Sequence, residues 1–219
     1  MATRQMLAQL SDTYAQRYGH AVEVESLGGV EAARRIRDGD SFDIVVLARD
    51  VICQLADAER IDPGSRVDVA RSAIAVAVKA GTPHPVIDSD ATLREAVLQA
   101  RMIGYSTGPS GAHLIKMIAR WDLDDALASK IVQAPSGVPV ASLVANDQVE
   151  LGFQQLSELI DQPGVDVVGV LPNESQSITV FSGAICKASG HAQVAQHFLA
   201  FLASPESSET KRSLGLEPA

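Results

Sequence analysis

The stretch Ser65–Ala80, SRVDVARSAIAVAVKA, decides the fold. Val67 and Val69, and then Ile74, Val76 and Val78, recur at a period of two, the mark of β-structure. The run is far longer than an ordinary strand of five or six residues. A strand that leaves one lobe and enters another has this length. A second such run lies at Ser177–Cys186, SITVFSGAIC. Two crossings imply a first lobe of residues 1–74 with 180–219 and a second lobe, 75–179, inserted between its halves. Two crossing strands make a hinge, and closure of such lobes on a ligand is a known motion.

Outward from these crossings the chain alternates helix and strand. Met6, Leu7, Leu10, Tyr14 and Tyr18 recur at three and four, predicting a helix over Ala2–Tyr18 that Gly19 stops. Ala21–Glu25, AVEVE, predicts a strand, followed by a turn at Ser26–Gly29 and a helix over Val30–Arg37. Phe42–Leu47, FDIVVL, predicts a strand covered on both faces, and Arg49–Arg60 a helix. The inserted half repeats the alternation, with strands at Met102–Tyr105, Lys130–Gln133, Val149–Phe153 and Val165–Val170. Its helices are expected at Leu93–Arg101, Ala112–Trp121, Val138–Ala145 and Leu156–Ile160. Helices at Gln193–Leu202 and Ser204–Leu214 close the chain. The fold class is therefore α/β, with parallel sheets and right-handed crossovers. The chain opens on a helix where such a sheet usually opens on a strand.

Composition agrees. Hydrophobic residues make up 46% and aromatics only 4%, so the core is built from Ala, Val, Leu and Ile. Acidic residues outnumber basic ones, 27 to 18, for a formal charge of -9. That field opposes nucleic acid, whose binding rests on neutralised phosphates. A small anion remains open as a ligand, because helix N-termini hold anions with main-chain N–H groups alone. No apolar run reaches the ~20 residues that span a bilayer. The first residues show no signal peptide, which predicts a cytoplasmic location for the sequence as written and a periplasmic one if a leader precedes it.

Four turns carry the chemistry, at the strand ends where open α/β sheets bind ligands. They are Ser26–Gly29, Tyr105–Gly111 (YSTGPSG), Ala134–Pro139 (APSGVP) and Gly152–Glu158 (GFQQLSE). In the second, Gly108 and Gly111 permit close main-chain approach, Ser106, Thr107 and Ser110 offer hydroxyls, and the next helix adds its positive end. Ser110 could equally be the helix cap. No GxxxxGK[ST] or GxGxxG motif is present, so nucleotide and dinucleotide cofactors are not expected, and neither is any other cofactor. His20, His84, His113, His191 and His197 lack metal-ligand spacing and read as surface or loop residues, so no metal is expected. His113, beside the second turn, is the candidate proton carrier, with Glu158 the other weak candidate base. Cys53 and Cys186 lie in apolar stretches and read as small buried thiols, with a disulfide between them left open.

The stretches GVEAARRIRDG (29–39) with FDIVVLA, YSTGPSGAHL (105–114) and VPVASLVANDQVELGFQQLSEL (138–159) resemble the type II periplasmic-binding-protein superfamily, in its molybdate-binding branch. SRVDVARSAIAVAV, LREAVLQAR, VPVASLVA, GFQQLSEL, PGVDVVGVLP and QSITVFSGAI are more similar to bacterial aconitate isomerases on the same scaffold. The first resemblance implies an ABC-transporter-type solute-binding protein with an ABC permease as partner. The second implies a tricarboxylate substrate and proton-shuttling allylic isomerisation. Molybdate binders place a ligand serine after their first strand, which here lies before Met1 or does not exist. Their second serine falls near Gly28 or Gly29, with Ser26 as the substitute hydroxyl, and their tyrosine falls near Gln155. The resemblance thus carries ligand contacts onto Ser26, Gly28, Gly29, Thr107, Ser110, Gly111, Val138 and Gln155. It favours a carboxylate-bearing ligand over tetrahedral molybdate. A regulator's ligand-binding domain on this fold would follow a helix-turn-helix, and no basic recognition helix precedes Ala2.

Overall fold

The computed structural model describes all 219 residues. In chain order the elements are α1 (Arg4–Tyr18), α2 (Gly29–Asp38), β1 (Ile44–Ala48), α3 (Arg49–Asp57), β2 (Val67–Ser72) and β3 (Ile74–Lys79). There follow α4 (Asp90–Gln99), β4 (Ile103–Tyr105), α5 (Pro109–Arg120), α6 (Asp124–Leu127), β5 (Ile131–Gln133), α7 (Val140–Ala145) and β6 (Leu151–Gln155). The chain ends with α8 (Leu156–Leu159), β7 (Val165–Val170), β8 (Thr179–Ile185), α9 (Ala192–Ala203), α10 (Ser208–Ser213) and β9 (Glu217–Pro218). They form two compact units, Met1–Ser72 with Thr179–Ala219, and Ala73–Ile178. No helix is long and apolar enough to cross a membrane.

The first unit carries a four-stranded sheet in the order β1-β8-β2-β9. Every pair in it is antiparallel, which corrects the parallel sheet expected for this half. The reason is β8. It arrives from the far end of the chain and runs between β1 and β2, against the direction of both. The single long strand expected over 65–80 is also two strands, β2 and β3, in different sheets, with Ala73 between them.

α1 forms as its periodicity dictates and stops at Gly19, whose φ of 74° is left-handed and whose N–H bonds the Ala15 carbonyl. Its stripe of Met6, Leu10 and Tyr14 joins Phe198, Leu199 and Phe201 of α9 in one core. Tyr14 meets Phe198 edge-on at 4.9 Å, and its hydroxyl lies 2.7 Å from Nδ1 of His197. Ala21–Glu25 does not form the expected strand. Val22 and Val24 are half-buried and alternate with exposed Glu23 and Glu25, so the period of two survives, but no strand pairs with it.

The second unit has a five-stranded sheet in the order β5-β4-β6-β3-β7. Its β5, β4 and β6 are mutually parallel, and β3 pairs antiparallel with β6 and β7. α4 starts on a capping box in which the Ser89 hydroxyl accepts the Thr92 N–H and Thr92 reaches back to the Ser89 N–H. Gly104 of β4 lies opposite Gly152 of β6. A Cβ on Gly152 would sit 2.5 Å from Val144 and 3.0 Å from Val140, so this glycine pair lets α7 pack directly on the two strands.

Candidate functional site: turns at the carboxyl ends of the parallel strands

β5, β4 and β6 run in the same direction, with Tyr105 paired to Gln133 and to Phe153. Their carboxyl ends therefore lie side by side, and the turns that follow leave from one end of the sheet. The Ala134 N–H bonds the Tyr105 carbonyl at 2.8 Å, extending the β4–β5 pairing into the third turn. Of the candidates read from sequence, Thr107, Ser110 and Gly111 follow β4, Val138 follows β5, and Gln155 ends β6. The fold brings these five to one sheet end. Ser26, Gly28 and Gly29 belong to the first unit, where they lead into α2.

The turn after β4 is built by its own hydroxyls. Ser106 Oγ accepts the Gly108 N–H at 3.2 Å and lies 3.1 Å from Ser110 Oγ. Ser110 is not the helix cap. Gly108 holds that position, Pro109 fills the first helical turn, and no side chain caps the helix. Gly111 is required by packing, since a Cβ there would lie 1.8 Å from the Ser106 carbonyl oxygen. α5 has no acidic residue in its first turn. Pro109 brings no N–H and Ala112 bonds back to the Gly108 carbonyl, which leaves the amides of Ser110 and Gly111 as first-turn donors. Thr107 is exposed beside them. This arrangement can take an anion through main-chain N–H groups and a hydroxyl.

The turn after β5 differs. The Val138 N–H is bonded to the Pro135 carbonyl at 3.0 Å. The Val140 N–H goes to Oε1 of buried Gln154 at 3.0 Å, and the Ser142 N–H to the Pro139 carbonyl. At α7 the Val140 and Ser142 donors are thus taken inside the protein. The fourth expected turn has no loop at all, because Gln155 ends β6 and α8 begins at the next residue. Gln155 is buried.

Sequence reading missed Gln154 and Ser157. Both are polar residues in the buried run Leu151–Leu159, and polarity inside an apolar run was the available signal. Ser157 Oγ is buried without a hydrogen-bond partner. Burial pushes the Glu158 carboxyl above its ordinary value, against the opposing hydrogen bond with Gln154. His113 is neither a surface nor a loop residue. It is half-buried in α5 with Nε2 2.7 Å from the Ser175 carbonyl, so that nitrogen carries the proton and donates it. Asp90 gathers the Ser175 hydroxyl, Trp121 Nε1 (2.9 Å) and Arg120 (2.6 Å), the first of which most lowers its pKa.

In the first unit, α2 begins on Gly28 in extended conformation, and the Ala32 N–H returns to the Gly28 carbonyl. The amides of Gly29, Val30 and Glu31 form its open first turn, with Ser26 half-buried just before it. Cys53 is exposed, contrary to its reading as a buried thiol, because it falls on the outer side of α3; both cysteines are free. No group of three or more His, Cys, Asp or Glu side chains is placed to hold a metal ion.

Residues 1–217 match the family of bacterial extracellular solute-binding proteins. An aconitate isomerase from a Pseudomonas species is 34% identical over 185 residues, which are 84% of this chain and 70% of that protein. Among solved structures, the periplasmic molybdate-binding protein of Azotobacter vinelandii superposes with a TM-score of 0.82 at 22% identity, covering 98% of this chain and 95% of its own. The substrate-binding domain of a putative molybdenum ABC transporter from Clostridium difficile does so with a TM-score of 0.76 at 16% identity, covering 100% and 95%. Architecture, turn placement and these likenesses converge, and the chain belongs to the bacterial extracellular solute-binding protein family, on the type II periplasmic-binding-protein fold.

Proposed function

We propose that the protein binds a small oxyanion or carboxylate as the solute-binding component of an ABC-type transporter, with the permease as its partner. The start of α5 carries this reading. α4, in the same unit, has its Thr92 amide taken by the Ser89 hydroxyl and an acid, Asp90, in its first turn, whereas α5 has neither a side-chain cap nor an acid in its first turn. A twelve-residue helix so arranged presents an uncompensated positive end. In this reading Thr107 adds a hydroxyl to the Ser110 and Gly111 amides. The lack of any Lys or Arg among the candidate contacts suits a ligand held by amides.

The test is thermal unfolding against molybdate, sulfate, phosphate and a series of di- and tricarboxylates. A ligand at ~100 times its Kd adds roughly 2.7 kcal/mol of stability. Thr107→Val is expected to weaken that ligand several-fold. If no member raises Tm, the reading fails.

A second reading is an isomerase acting on a tricarboxylate. It is favoured by the likeness to aconitate isomerase together with the raised carboxyl of Glu158, which burial makes a better proton holder than an ordinary carboxylate. His113 is the weaker candidate, since one ring nitrogen is already committed to Ser175. Incubation with trans-aconitate and detection of the cis isomer decides it. Turnover that Glu158→Gln abolishes supports this reading, and absence of turnover removes it.

A further inference from the structure

The chain enters the second unit at Ala73 and leaves it at Ile178. One side chain, that of Gln176, is bonded close to both points. Ala75 of β3 is matched to Val170 of β7, so Ile74 and Leu171 are the next pair in that register. Antiparallel residues that face each other through hydrogen bonds exchange two of them. Here only one is direct, from the Leu171 N–H to the Ile74 carbonyl at 3.0 Å. Pro172 follows, offers no N–H and turns the chain away, with the Ser175 N–H meeting the Pro172 carbonyl at 2.9 Å.

Gln176 fills the missing half of the pair. The Ile74 N–H donates to its Oε1 at 2.9 Å, and its Nε2 donates to the Ile74 carbonyl at 3.0 Å and the Leu171 carbonyl at 3.3 Å. The Ser177 N–H donates to the same Oε1 at 2.9 Å. An amide oxygen has two lone pairs and an amide nitrogen two hydrogens, so the group is used to capacity. The segment is anchored beside Gln176 as well. Ser175 is buried, its hydroxyl donates to Asp90 at the start of α4, and its carbonyl accepts from His113 of α5. All these partners belong to the second unit.

We infer that Gln176 is a staple that joins the two ends of the inserted unit and makes them move as one connector. Its amide holds Ile74, one residue inside the entry, and Ser177, one residue inside the exit. Two separate chain passages would each absorb their own φ/ψ change during a hinge motion. Passages bonded to a common amide share every displacement, which confines the motion to fewer directions. Packing alone does not account for the group, because an apolar side chain of that length would fill the space and leave the Ile74 and Ser177 N–H groups without their acceptor. The inference stands on residues of the second unit alone and holds whichever ligand the protein takes.

The test compares the unaltered protein with Gln176→Met, which keeps the length of the side chain and loses every bond, and with Gln176→Glu, which keeps the acceptor and loses the donor. In Gln176→Met, amide exchange at Ile74 and Ser177 quickens at least tenfold and by a similar factor at both, while Ile103 and Trp121 keep their rates. Gln176→Glu sets a carboxylate oxygen against the Ile74 and Leu171 carbonyls and quickens both amides several-fold. Spin labels on Cys53, which is exposed in the first unit, and on Ala119→Cys, at an exposed position of α5, report the spread of distances between them; Cys186 is buried and stays unlabelled. That spread widens by at least half in Gln176→Met and by less in Gln176→Glu. Quickened exchange at only one of the two amides, or an unchanged spread in both variants, overturns the inference. Should Gln176→Met not fold, Gln176→Glu decides on the same two readouts.

Discussion

The side-chain carbonyl of Gln154 accepts the main-chain N–H of Val140 at 3.0 Å, so the second-to-last residue of β6 caps the first turn of α7. Both residues are buried. Water cannot replace this bond, and its loss strands a main-chain donor. Gln154→Leu is expected to cost about 1–3 kcal/mol in urea unfolding. Gln154→Glu keeps an acceptor for Val140 but buries a carboxyl whose charged form burial disfavours, so it should cost more at pH 7 than at low pH, where it is neutral.

Gly111 stands against the Ser106 main chain, with 1.8 Å between its would-be Cβ and that carbonyl oxygen. Backbone cannot yield as a side-chain tip can. Gly111→Ala is therefore expected to lose at least ~1–3 kcal/mol and to abolish ligand-induced thermal shift. Gly108→Ala, whose added Cβ would meet only Ser106 Oγ at 3.5 Å, serves as the matched control in both measurements.

Lys211 is 1% exposed, and its ammonium group has one hydrogen-bond partner, the Leu202 carbonyl at 2.6 Å. Burial lowers its pKa to about 8. The unfolded chain holds this proton more tightly than the folded one between pH 8 and the ordinary lysine value of 10.5. Stability must then rise with pH across that window. Lys211→Met removes the rise, and at pH 7 it is expected to stabilise by up to roughly 3 kcal/mol, at ~1.4 kcal/mol for each pKa unit. Urea midpoints of both proteins from pH 7 to 10.5 check the sign.

Cys53 is exposed beside Arg66, whose guanidinium lies 3.3 Å from Sγ, while Cys186 is buried and burial pushes its thiol up to about 11. Thiolate is the reactive form. One thiol per chain should react with a disulfide reagent in the native protein, and the second only in denaturant. Cys53→Ser should then abolish native labelling.

How much of this the sequence held depends on what fixes each element. α1 was legible to its last residue, because Gly19 ends it by a local left-handed turn that needs no tertiary partner. β1 was legible from its continuous apolar run. Ala21–Glu25 has equally clear alternation and forms no strand, since a strand exists only where another pairs with it and the pattern cannot report that. Sheet direction failed for a similar reason. β8 reverses the first sheet, and the return of a segment from 179 onward to lie between β1 and β2 is not written in any local window. At the site, glycine and hydroxyl positions marked the turn after β4 correctly, but the allocation of donors did not show. Val138 and Val140 look like free amides until Pro135 and Gln154 are seen to take them.

The pairing of Ile44 with Ile185 has a consequence for biogenesis. Everything from Ala73 to Ile178 must be synthesised before β8 exists to join β1 and β2, so the first sheet cannot be completed early on the ribosome. The inserted unit has all its strands by Val170 and can consolidate while still tethered. Its consolidation shortens the effective loop that the last pairing must close. Nascent chains halted before Thr179 should therefore offer chaperones β1 and β2 as separate strands, and those halted beyond Ile185 should not.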